Sequence, residues 1–232
     1  MKDIFSSPLF GVMISLVAFE IGIHINKKTK QSFFNPLLVA IVVVIVVLKT
    51  FHISLDDYNK GGQIISFLLG PATVALAVPL YKNFGLLKKN AISILMGIFI
   101  GCIVSITSIV FLSKAFNIDR ILGLSLVPKS VTTPIGIEVA KQIGGIPEIT
   151  VAAIILTGIT GAILAPLIGK ILKIDDKVAI GVAIGTASHA VGTAKAIEMG
   201  EVEGAMGSLS IGVAGLITVV IAPIIVALFQ YF

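Results

Sequence analysis

Charge is what this sequence lacks most. Asp, Glu, Lys and Arg together make up 12% of its 232 residues, about half the share found in soluble domains. So few charges cannot cover a solvated surface of ordinary size, and a mean hydropathy of +1.10 points the same way. Cysteine is nearly absent as well. Cys102 is alone, which excludes an internal disulfide or thiol metal cluster and leaves it the ordinary role of a small apolar filler. Arginine occurs once, at Arg120, and the lysines flank apolar blocks instead of gathering in one patch. The net charge of +5 therefore reads as topology signals rather than a nucleic-acid surface. Also missing are a nucleophile beside a base, paired catalytic carboxylates, a phosphate-binding loop and the Asp/Asn grouping of a sodium site. No enzyme, no cofactor and no bound metal is expected.

What is present is apolar material in blocks of about sixteen to twenty-five residues, close to the roughly 20 that a helix needs to cross a bilayer. The chain has room for about eight such passes in one compact membrane domain covering residues 1–232. The first block carries Glu20, is preceded only by Lys2 and Asp3, and is followed by no small-x-small cleavage site; the expectation is a first helix that is retained. Blocks at about Pro8 to Ile25, Pro36 to Leu48, Ala91 to Leu112 and Gly207 to Phe229 are continuous, and Ile149 to Leu172 contains Pro166. Three others are interrupted. Gly70-Pro71 breaks the third, Gly62 to Tyr81, because proline lacks an N–H and clashes with the preceding turn. Pro128-Lys129-Ser130-Val131-Thr132-Thr133-Pro134 breaks the fifth, about Ile118 to Ile143, making it either a broken span or a re-entrant hairpin. Gly185-Thr186-Ala187-Ser188-His189 interrupts the seventh, Val178 to Glu198.

At an offset of 115 residues, Gly70-Pro71-Ala72-Thr73-Val74-Ala75 falls on Gly185-Thr186-Ala187-Ser188-His189-Ala190, a shared Gly-x-Ala-Thr/Ser-x-Ala. This suggests two structural repeats, 1–115 and 116–232, each with a broken third helix, as in many transporters. The expected fold is all-α, polytopic and transporter-like. Three basic clusters, Lys27-Lys28-Lys30, Lys82-Lys88-Lys89 and Lys170-Lys173-Lys177, share one side only if the fifth block does not cross, an arrangement that makes the repeats inverted. Lys114 and Arg120 lie on the wrong side for that rule. A fully crossing fifth block gives parallel repeats instead.

Irregular backbone survives at membrane depth only where protein buries it or a wet cavity meets it. The two matched interruptions are expected to face each other near the midplane, with Gly70, Pro71, Ala72 and Thr73 on one side and Gly185, Thr186 and Ser188 on the other. Half-helix N-termini there carry partial positive charge and open N–H groups suited to a carboxylate; Thr193 adds a further hydroxyl. The alternative is two kinked helices packed through small residues. Ionisable groups within apolar segments are candidates by default. Lys129, with Ser130, Thr132 and Thr133 in the same stretch, is a candidate for direct contact with an anion, or for an ion pair with Glu138 or a snorkelling contact. Lys195 either serves the same anion or pairs with Glu198 at i,i+3. His189 either exchanges a coupling proton or is a structural hydrogen-bonder.

Three long stretches carry a resemblance. LGPATVALAVPLY at Leu69 to Tyr81, SLVPKSVTTPIGIEVA at Ser125 to Ala140 and GTASHAVGTAKAIEMGEVEGAMGSLS at Gly185 to Ser210 resemble the LrgB/CidB family of bacterial membrane proteins, of which the plastid glycolate/glycerate translocator is a plant relative. Gly207 departs from the pattern where Ser is expected. The resemblance implies a multi-pass protein of the bacterial cell (inner) membrane and two functional descriptions. One is an antiholin-like or holin-like regulator of murein hydrolase activity and cell lysis, acting with a small LrgA/CidA-type membrane partner. The other is a carrier of short monocarboxylates such as glycolate, glycerate or pyruvate. The paired breaks and buried cations favour a small-carboxylate carrier working by alternating access in the lipid bilayer, as a homo-oligomer, with no nucleic-acid partner.

Overall fold

The computed structural model describes residues 5–29, 34–68, 71, 74 and 77–229, and every regular element among them is helical. In chain order these are α1 (Pro8–Thr29), α2 (Pro36–Thr50), α3 (Leu55–Phe67), α4 (Ala77–Lys82), α5 (Phe84–Lys89), α6 (Ala91–Ala115), α7 (Arg120–Leu126), α8 (Thr133–Ile143), α9 (Pro147–Ile171), α10 (Lys177–Met199) and α11 (Glu201–Leu228). Polar residues at the helix starts fix several of them. The Asn35 carboxamide oxygen accepts from the Leu37 and Leu38 amides, Asp119 from Ile121 and Leu122, and Asp176 from Ala179, each satisfying donors that the first turn leaves open.

The chain divides into two compact units, Met1–Ala75 and Leu76–Phe232. In the first, α1 packs on α2 and α3 through glycines: a Cβ on Gly11 would meet the backbone of Tyr58 and Gly61, and one on Gly22 that of Pro36. The boundary expected at 115/116 coincides with the end of α6 in the second unit. The repeat at an offset of 115 has no partner to compare, since Gly70, Ala72, Thr73 and Ala75 lie outside the described residues.

Four helices, α1, α6, α9 and α11, are long and apolar enough to cross a membrane, and α2 is a shorter apolar helix. The protein is thus an all-helical, multi-pass membrane protein; among the described residues fewer helices are long enough to cross than the eight expected, and two apolar blocks of the second unit fold back on themselves. The fifth block forms α7 and α8, 7 and 11 residues long, or about 10 and 16 Å at 1.5 Å per residue, against about 30 Å of hydrocarbon. The chain returns to the end of α7: the Ile146 amide donates to Ser125 Oγ at 2.7 Å, and Thr150 Oγ1 donates to the Ser125 carbonyl at 2.7 Å. Of the two readings open for this block, the structure takes the re-entrant hairpin, with residues 127–132 at its tip.

The seventh block, α10, hides a second reversal at His189, whose backbone (φ 43, ψ −139) is not helical. A Cβ on Gly192 would lie 3.1 Å from Ile184 Cγ2 and 3.3 Å from the Ile184 carbonyl oxygen, whereas eight residues of straight helix separate two positions by about 12 Å. The contacts with α11 agree. Gly181 packs on Glu203 and Gly185 on Gly207, a parallel register, while Thr193 packs on Gly207 and Ile197 on Gly204, an antiparallel one. One straight helix cannot do both. The arm 177–188 runs alongside α11 and the arm 190–199 runs back.

The two hairpins enter from opposite ends of the bundle. Ile94 of α6 shares a cluster with Val182, against which Leu87, Val178 and Val202 pack, and Gly169 of α9 lies near Ile180; this is the proximal end. Lys114 Nζ donates to the Phe229 carbonyl at 3.3 Å, which puts the far ends of α6 and α11 together at the distal end. The α7–α8 hairpin dips from the distal end and α10 from the proximal one, on either side of α9. The acidic run Glu198-Glu201-Glu203 therefore shares the proximal end with Lys170-Lys173-Lys177; Glu201 lies 3.7 Å from Lys82. The reversal at His189 is the reason.

Candidate functional site

The tips meet on one face of α6. A Cβ on Gly101 would lie 2.9 Å from Thr186 Cγ2, and Ser105, one turn further on, shares a 3.0 Å hydrogen bond with Ser130. Ser105 is ten residues from Ala115, about 15 Å along the helix axis and so near half the depth of a bilayer. Lys129 stands at this level. Its ammonium donates to Ser130 Oγ at 3.2 Å and Ser105 Oγ at 3.4 Å, and among the described residues no carboxylate pairs with it. The ion pair with Glu138 is not formed; Glu138 takes Lys141 at 2.8 Å instead.

A cavity of about 1070 Å³ leads from Asn90 and Asp176 at the proximal end to a floor formed by Lys129, Ser130, Ser105 and Ser188. Its flank on α9 presents Thr157, Thr160 and Gly161, and Ser188 fits against Gly161 so closely that any side chain there would collide with its hydroxyl. The mixture of apolar wall and a few convergent hydroxyls around one ammonium is that of a small-molecule site.

The sequence candidates divide. Lys129, Ser130, Thr186 and Ser188 line the cavity. Gly185 is buried on Gly207, where its lack of a side chain lets the backbones touch. His189 is buried at the reversal, its Nε2 2.9 Å from the Ile154 carbonyl; because the partner is an acceptor, Nε2 carries the proton. Thr193 is buried with no hydrogen-bond partner among the described residues. Lys195 pairs with Glu198 at 2.8 Å and does not line the cavity. Thr132 and Thr133 begin α8 away from it. Pro71 is exposed, while Gly70, Ala72 and Thr73 lie outside the described residues. Among the described residues, the stretch that meets 186–188 is 128–131. Ser105, Thr157, Thr160 and Gly161 escaped the sequence reading, since isolated small polar residues in apolar helices are ordinary; the only signal was the Gly97, Gly101, Ser105 run of small residues at every fourth position.

The pattern of the LrgB-like family matches residues 15–228. The chain belongs to this family. LrgB-like relatives include the antiholin-like protein LrgB of Bacillus subtilis (strain 168), 44% identical over 223 residues and covering 96% of each chain. Those of Bacillus mycoides (strain KBAB4) and Bacillus cereus (strain B4264) are each 43% identical over 218 residues, covering 94% of this chain and 95% of theirs. No solved structure matches the chain. Among the described residues of this LrgB-like protein there is no group of His, Cys, Asp and Glu able to hold a metal ion.

Proposed function

We propose that this LrgB-like protein carries a small monovalent organic anion of the glycolate, glycerate or pyruvate kind by alternating access. Lys129 is the observation that carries the reading. A cation near the middle of a membrane helix costs about 2.5–3.5 kcal/mol on insertion scales, and this one is surrounded by hydroxyls rather than by a counter-ion. An anion arriving through the cavity supplies the missing charge. Ser105, Ser130 and Ser188 then donate to its oxygens, which makes the contacts charge-assisted. One lysine suits one negative charge; a second carboxylate would be buried unpaired. The protein is read as a non-enzyme of the bacterial inner membrane, acting as a homo-oligomer.

A second reading has its own support, the name antiholin-like carried by the relatives. In that reading the chain regulates murein hydrolase activity and lysis together with a small LrgA/CidA-type partner. It is the reading that the names favour, as the cavity favours the first, and the two separate at Lys129. Uptake of labelled glycolate or pyruvate into liposomes holding the purified chain is expected, and Lys129→Gln should lower it about 10- to 100-fold, the worth of a hydrogen-bonded charge. No uptake, with or without an LrgA-type protein in the same vesicles, sinks the carrier. An autolysis phenotype of gene loss that Lys129→Gln fully rescues favours the regulator.

A further inference from the structure

Two ionisable residues of the first unit have no part in the cavity. Glu20 and His24 stand one turn apart on α1, and both are exposed. Glu20 lies about 18 Å of helix from Pro8 and about 14 Å from Thr29, well inside the hydrocarbon, where a carboxyl turned toward lipid is costly and marks a function. The two do not satisfy each other: neither side chain has a hydrogen-bond or ion-pair partner among the described residues. Met13, Val17, Glu20 and His24 recur at i, i+4, i+7 and i+11, the a/d spacing of a helix-pairing seam, and Met13 and Val17 are 63% and 51% exposed. The small residues through which membrane helices commonly meet are already spent inside the unit, Gly11 on α3 and Ala18 and Gly22 on α2. The exposed face of α2, by contrast, presents Val42, Ile45 and Val46 and suits lipid.

We propose that this seam of α1 docks on the same seam of a second copy of the chain, the two helices parallel about a two-fold axis along the membrane normal. The proposal gives the homo-oligomer read above its interface and does not depend on anion transport. In parallel packing, Glu20 enters the hole formed by Val17, Glu20, Ile21 and His24 of the facing helix, four residues that are all exposed. Its carboxyl then meets the partner's His24, and the two-fold returns the same contact from His24 to the partner's Glu20. Charge complementarity favours a copy as the occupant. A partner offering only acids or only bases would satisfy one residue and strand the other, whereas a copy brings one base for each acid at the matching depth.

Single cysteines at Met13, Val17, Val42 and Val46, each in a Cys102→Ala chain, are oxidised in liposomes over a range of protein densities, and the particle mass in mild detergent is measured alongside. Met13→Cys and Val17→Cys should give disulfide-linked dimers of this chain; Val42→Cys and Val46→Cys should not. Glu20→His and His24→Glu, made singly in the Val17→Cys chain, should each raise the density for half-maximal cross-linking about tenfold, the worth of two hydrogen bonds between membrane helices. Both changes together rebuild the acid–base pairs and should restore the original density, a rescue that a role confined to the fold of α1 does not produce. Dimeric or larger mass with no cross-link at Met13 or Val17, or cross-linking that both single changes leave unaltered, overturns this interface and leaves the homo-oligomer standing. Monomeric mass with no cross-link overturns both.

Discussion

His189 is the residue on which the site's geometry turns. Its φ of 43° and ψ of −139° lie where a side chain is strained by about 1–3 kcal/mol and glycine is not. The ring holds it there through the 2.9 Å contact with the Ile154 carbonyl and by packing on Gly158. His189→Gly and His189→Ala both lose that ring, but only the alanine keeps the strain. The glycine variant should therefore unfold at the higher temperature in detergent, by about 1–3 kcal/mol of stability. In an unbroken helix the order reverses, since glycine costs about 1 kcal/mol relative to alanine. At this scale the sequence was informative where a residue is costly and silent where it is cheap. Lys129 stood out because an ammonium in an apolar block demands a reason. Ser105, its partner, did not, because a serine in a membrane helix satisfies itself on the preceding turn.

Among the elements, the second hairpin depends on glycines that let three arms touch. A Cβ on Gly185 would come within 2.7 Å of the Gly207 Cα, while one on Gly212 meets nothing within 4 Å. Gly185→Ala should thus destabilise by about 1–3 kcal/mol through overpacking against backbone that cannot yield. Gly212→Ala should be neutral or stabilising by up to about 1 kcal/mol through helix propensity. Thermal unfolding of both in detergent checks the pair; equal effects would mean that Gly185 faces open space. The first hairpin was legible because Pro128 and Pro134 bracket its tip and admit no regular helix between them. The second was legible only as an interruption. A 23-residue apolar segment has the same summed hydropathy whether it crosses or turns back, and hydropathy carries no direction. The signal lay in the spacing of Gly181 with Gly185 and of Gly204 with Gly207, which asks for close partners without naming them.

For the whole molecule the reversal fixes which loops share a side. Lys88, Lys89, Lys170 and Lys177 flank the proximal ends of α6, α9 and α10, and by the positive-inside rule that end, with the mouth of the large cavity, is expected to face the cytoplasm. The distal end carries Lys114, Arg120 and Lys141, fewer cations, with Glu138 and Glu148 among them. Cysteines introduced one at a time at Lys177, Glu201 and Lys141 make this measurable, since all three are exposed and the native Cys102 is buried. A membrane-impermeant thiol reagent applied to intact cells should reach Lys141→Cys alone, and permeabilised cells should add both others together. Glu201 decides the matter. Were α10 a straight crossing, Lys177 and Glu201 would label from opposite sides, the 3.7 Å approach of Lys82 to Glu201 would be impossible across a bilayer, and no second tip would reach Gly101. Lys129 would then lack the opposing wall of hydroxyls that makes its position a site for an anion, so labelling of Glu201→Cys with Lys177→Cys is the condition on which the carrier geometry stands.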